Sequence, residues 1–100
     1  MINEYVPQIL KKLNVFWVSY LLGFDESRHL EALMARKEVV SYPPEIVLRC
    51  YYLVRIVDKF DSTELLLNWL LQTPKSYNPM IRLRTLVSAT DGDSLLKGLP

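Results

Sequence analysis

The segment "PPEIVLRCYYLVRIVDKF", residues 43–60, decides the fold. Ile46 or Val47, Cys50, Leu53 or Val54, Val57 and Phe60 recur at three- and four-residue steps, the stripe of an amphipathic helix. Proline is tolerated in a first helical turn, so the helix is expected to run from Pro44 to about Phe60. Arg49, Tyr52, Arg55 and Lys59 fall largely on the opposite side and are expected to face water. No alternating strand pattern of useful length occurs anywhere in the chain.

Helical spacing with clear punctuation continues on both sides. Toward the N-terminus, "PQILKKL" reads as a short helix with Pro7 in its first turn. Asn14 is a candidate N-cap for "VFWVSYLL", and Gly23 a candidate stop. Asp25 or Ser27 would cap a further helix reaching about Lys37, with Leu30, Leu33 and Met34 on one face. "SYPP" then breaks the chain.

Toward the C-terminus, Asp61 and Glu64 stand at capping-box spacing before Leu65, Leu66, Trp69 and Leu70. Thr73-Pro74 ends that helix. Asn78-Pro79 reads as an N-cap with a first-turn proline, and Asp91 to Ser94 as the cap of a last helix through Leu99. No linker divides the chain. The expectation is all-α: a compact single domain, 1–100, of about six or seven mostly short helices. Its parts are a helix-turn-helix-like segment, 1–43, and a segment 44–100 holding the long helix and the shorter helices C-terminal to it.

Composition bounds the chemistry. The chain has 100 residues, 50% of them apolar, and a formal net charge of +1. That is a globular composition without a global field to draw nucleic acid or an anionic membrane. Cys50 is the only cysteine and His29 the only histidine, so neither an intramolecular disulfide nor a transition-metal site is expected. The apolar run Val15 to Gly23 is too short to cross a bilayer, and the N-terminus lacks signal-peptide order. A cytoplasmic location is expected, away from any membrane.

Glycine-rich phosphate loops and nucleophile elbows are absent from the sequence. "DGD" at Asp91 to Asp93 lacks the remaining oxygen ligands of a calcium loop, so its expected role is a turn and cap. No enzyme and no cofactor is expected.

Two binding surfaces stand out instead. In "VFWVSYLLGFDESRHLEALMARKEV", a helix, a glycine turn and a second helix have helix-turn-helix form. Ser27, Arg28 and His29 would then meet bases, and Arg36 and Lys37 phosphates. Asp25, Glu26, Glu31 and Glu38 oppose those cations, which weighs against strong DNA affinity. The second surface is "KSYNPMIRLR", where Lys75, Arg82 and Arg84 occur without an acid between Thr73 and Ser88. Loop-borne basic and aromatic groups are interface material. The competing reading places Trp69, Met80, Leu83 and Leu86 in the core.

The order of these features resembles the Xre/MbcA/ParS antitoxin family, over nearly the whole chain. The matching stretches are "SYLLGFDESRHLEAL" and "PPEIVLRCYYLVRIVDKF", then Trp69, Leu70, Thr73, Pro74 and Asn78. "LRTLVSATDGDSLLKGL" adds Leu83, Leu86, Val87, Thr90, Gly92 and Leu99. "WLLQTP" has one residue more than the family's W-L-x-T-P step, and Thr85 stands where the family has proline. The resemblance implies a degenerate helix-turn-helix followed by a toxin-binding domain, with a partner that resembles a RES-type, NAD-consuming toxin.

The expected function is therefore a non-enzymatic protein-binding module of antitoxin type. Its candidate contacts are Lys75, Tyr77, Asn78, Arg82, Arg84 and Lys97. The alternatives are a DNA-binding transcriptional regulator, or a phage or mobile-element inhibitor of a host protein on the same scaffold. A homo-oligomer is also expected, because Phe16, Trp17 and Tyr20 supply more aromatic surface than a small core needs.

Overall fold

A computed structural model describes residues 2–24, 43–72 and 78–100. These residues form six helices and no strand: α1 (Ile2–Ile9), α2 (Val15–Leu22), α3 (Pro44–Asp58), α4 (Thr63–Leu70), α5 (Pro79–Arg84) and α6 (Ala89–Lys97). The chain is all-α and forms one globule, with a radius of gyration of 12.9 Å. The expected helix from Asp25 or Ser27 to about Lys37 lies outside the described residues.

The long helix α3 is the spine. Its buried side chains are Ile46, Cys50, Tyr52, Leu53, Ile56 and Val57, and Phe60 follows just beyond its end. α1 packs along α3 through Val6 and Ile9, with Leu13 below them. α2 packs on α3 and α5, and α6 packs on α3 and α5. One core therefore runs from Val6 to Leu95, and the segment before residue 43 shares it with the segment after.

Local chemistry sets most helix ends. Asn14 accepts from the Trp17 N–H, and Gly23, at φ 94°, closes α2 in the left-handed conformation that glycine adopts freely. Asn78 accepts from the Ile81 N–H with Pro79 in the first turn.

Four expected helix boundaries are corrected. α1 begins at Ile2, so Pro7 lies inside it; the buried i, i+3 pair Val6 and Ile9 fixes the helix against α3 despite the missing N–H. Ser62, not Asp61, caps α4, accepting from Leu65 N–H. α4 ends at Leu70, short of Thr73-Pro74, which lie outside the described residues. Ser88, not the Asp91–Ser94 group, caps α6, accepting from Asp91 N–H, so Gly92 sits within the helix. At α4 and α6 alike, a serine hydroxyl rather than a nearby carboxylate takes the N-cap position.

Tyr52 departs from the expected water-facing side of α3. It is buried, and its hydroxyl lies 2.8 Å from Asp93 Oδ1 and 3.0 Å from the Ala89 carbonyl. Its ring lies against Gly92, where a β-carbon would overlap it. Burial, reinforced by the Asp93 hydrogen bond, raises the Tyr52 pKa above its usual value.

Candidate protein-docking face

α2 carries no charged residue. Val18, Ser19, Leu21 and Leu22 turn into the core. The remaining aromatics lie on the outside: Phe16 is 69% exposed, Tyr20 is exposed and Trp17 is half-buried. A helix apolar on both sides has more apolar surface than one core contact uses. α5 lies alongside α2 and brings Met80 to it. Phe16, Trp17, Tyr20 and Met80 line an open hollow of about 260 Å³.

Arg84 lies against Tyr20, one of the residues that line this hollow. Its guanidinium carbon stands 4.3 Å from the centre of the Tyr20 ring, and its Nη1 donates to the Tyr20 carbonyl. Arg49 grips the same helix end. Its Nη1 donates to the Leu22 carbonyl at 3.0 Å and its Nε to the Leu86 carbonyl at 2.9 Å. Two cations thus satisfy carbonyls at the negative end of the α2 dipole. Burial lowers the Arg49 pKa, opposed by Glu45 and reinforced by the nearby Arg84 charge.

Other helix ends are closed in the same manner. Lys12 donates to the Val57 carbonyl at 3.1 Å and to the Phe60 carbonyl, at the end of α3. The Trp69 indole donates to the Gly98 carbonyl at 3.2 Å, at the end of α6.

The sequence-derived contact residues divide sharply. Lys75 and Tyr77 lie outside the described residues, as do Ser27, Arg28, His29, Arg36 and Lys37. Asn78 is buried, which corrects its expected place on a surface. Its Oδ1 caps α5 and its Nδ2 donates to the Gln72 carbonyl at 3.1 Å. Arg84 is engaged within the fold, holding α2 to α5. Arg82 reaches instead toward α6, with Nη2 3.4 Å from Ser94 Oγ. Lys97 is exposed in the last turn of α6. Arg84 thus turns toward α2, whereas the Arg82 side chain and Lys97 lie at α6.

The competing assignment of four residues to the core holds for Trp69, Leu83 and Leu86, which are buried. Met80 is only half-buried and contributes to the hollow. The signal for this face lay in the uncharged α2 sequence; the contribution of Met80 depends on α5 packing beside it.

A larger hollow of about 510 Å³ lies near the ends of α3 and α4, with Phe60, Asp61, Leu65 and Trp69 on its walls. The Trp69 N–H is already bonded to Gly98. Among the described residues, no group of three His, Cys, Asp or Glu side chains is placed to hold a metal ion. Cys50 is buried and burial pushes its thiol up to about 12, so it is protonated at neutral pH. No helix among the described residues is long and apolar enough to cross a membrane.

No protein-family model, curated protein or solved structure matches this chain.

Proposed function

We propose that this chain is a non-enzymatic protein-binding module of antitoxin type, which acts by covering a partner protein, a toxin in this reading. The observation that carries the binding role is the exposed aromatic hollow between α2 and α5. Phe16 at 69% exposure is a large apolar group held out on a rigid helix. Aromatic side chains and methionine are enriched where proteins dock, and a few such anchors supply most of the binding free energy. The toxin as partner is supported by the ordered sequence resemblance.

The contact set moves accordingly, from the loop to the helix pair. Phe16, Trp17, Tyr20 and Met80 are its apolar centre and Arg84 is its polar edge.

A photo-crosslinking amino acid in place of Phe16, tested in cells that produce the chain, examines this role. A control carries the same group in place of Lys11, which is exposed in the turn between α1 and α2. A discrete protein adduct from position 16 and none from position 11 is expected. No adduct from position 16, or the same adducts from both, would remove the docking role from this face. Duplex binding at low salt that is lost on Arg28→Ala or Arg36→Ala would support the transcriptional-regulator reading, which does not exclude a protein partner.

A further inference from the structure

The residues around the hollow also restrict the chemistry of what docks there. We infer that this face receives an amphipathic helical segment of another protein. One apolar side chain of that segment seats on Phe16, Trp17 and Met80, and a carboxylate one helical turn away meets Arg84. This rests on the protein-binding reading above and adds the partner's chemistry to it.

The size of the hollow favours a side chain over a small molecule. At about 260 Å³ and open to solvent, it lies below the usual range for enclosed ligand sites, roughly 300–1,000 Å³. Among the described residues, its walls are flat aromatic rings and one thioether. The rings give rigid contact area, and methionine adapts to the shape that arrives.

The spacing favours a helix. Met80 and Arg84 are four residues apart on α5, so they lie one turn apart on one side of it. The separation along the axis is about 6 Å. A partner helix lying along α5 with an apolar residue and an acid at i and i+4 repeats that distance.

The charge favours an acid. α2 has no charged residue, and α5 has Arg82 and Arg84 but no carboxylate. Arg84 gives one of its five N–H groups to Tyr20, and that bond together with the ring contact holds the guanidinium in place. A pre-positioned guanidinium loses little side-chain entropy when a carboxylate meets it.

The same charges disfavour two other occupants. A two-fold contact between copies of this face would bring two Arg84 groups to it with no acid from α2 or α5 to pair them. Among the described residues, a phosphate backbone would find one cation, Arg84, beside four apolar side chains, whereas nucleic-acid affinity depends on many phosphate contacts.

The test uses the full chain and a fluorescein-labelled, alanine-based helical peptide with Leu and Glu at i and i+4. Matched peptides replace Glu by Gln, Glu by Lys, or Leu by Ala. Fluorescence anisotropy is expected to show the Leu/Glu peptide binding about tenfold or more tightly than the Gln and Lys versions. Phe16→Ala, a change at an exposed position, is expected to weaken it to a similar degree with the helical circular dichroism unchanged.

Equal affinity for the Glu and Lys peptides would overturn the acidic partner and leave the docking role intact. Failure of the Leu/Glu peptide to bind would overturn the inference, and crosslinking from position 16 would then report separately on the docking role. Dimerisation that Phe16→Ala abolishes, without peptide binding, would assign the face to a second copy and overturn it as well.

Discussion

The Arg49 guanidinium fills the space that a β-carbon at position 23 would occupy. From there its Nη1 reaches the Leu22 carbonyl, the last residue of α2, at 3.0 Å. Gly23 thus has two functions at one site. It turns the chain at φ 94°, and it leaves room for the side chain that closes the helix.

Gly23→Ala should therefore lower stability by about 1–2 kcal/mol, chiefly through left-handed backbone strain, with the flexible end of Arg49 shifting to make room. Gly98→Ala is the comparison. Gly98 has φ −83°, and a β-carbon there has only the Leu95 carbonyl near it, at 3.4 Å. Its effect should stay within about 1 kcal/mol. Urea unfolding of both variants checks the contrast, and equal losses would refute the account of Gly23.

Gly92 should show the opposite of its helix propensity. Alanine within a helix normally gains about 1 kcal/mol over glycine. Here the Tyr52 ring occupies the space, so Gly92→Ala should destabilise by roughly 1–3 kcal/mol through overpacking. In a Tyr52→Ala background the same substitution should become neutral or stabilising. A double-mutant cycle measures this coupling, and additive effects would argue against ring contact as the cause.

Arg84 and Arg82 should separate although two residues apart. Arg84→Gln removes a cation from the α2 terminus and from the Tyr20 ring, at a cost of about 1–2 kcal/mol. Arg82 holds only an exposed contact to Ser94, and Arg82→Gln should change stability by less than about 0.5 kcal/mol. Thermal unfolding of the two variants distinguishes a structural arginine from a solvated one.

Alkaline pH should weaken the fold through α3. Burial raises the Cys50 thiol from 9.0 to about 12, and burial with the Asp93 contact raises Tyr52 above 10.0. A raised folded-state pKa means the native state holds its proton more tightly than the unfolded chain. The contribution is complete below the unfolded pKa and is lost as pH climbs toward the folded one. Stability should therefore decline from about pH 9 upward, by up to about 1.4 kcal/mol per pH unit for each group. Cys50→Ala should flatten that decline while lowering stability at neutral pH. Melting temperatures followed from pH 8 to 11 check the slope.

Elements signalled by adjacent residues were legible in the sequence. The Asn14 and Asn78 caps, the Gly23 stop and the apolar stripe of α3 each depend on neighbours within a turn or two. Tyr52 was not legible, because its burial depends on Gly92 and Asp93, with its Asp93 contact 41 residues away in sequence. Arg49 reads as a charge on the polar side of its helix, and Arg84 as a partner contact, for a similar reason. Their acceptors are backbone carbonyls, which every residue has and no sequence pattern marks. The candidate site was half visible: the surplus of aromatics in α2 is a property of its sequence, whereas Met80 joins them only when α5 packs alongside.

The side chains that close the helix ends also bear on how the chain assembles. Most of these helices have six to nine residues, below the length at which isolated helices persist in water. The closing bonds are distant: Lys12 reaches Phe60, beyond the end of the longer α3, across 48 positions, and at the short helices Arg84 reaches Tyr20 across 64 and Trp69 reaches Gly98 across 29. Each of these termini is thus borrowed from a segment that must already be in place. Peptides cut from this chain should be largely unstructured on their own, and the intact chain should melt as an all-or-none unit, with no helix surviving the loss of its neighbours.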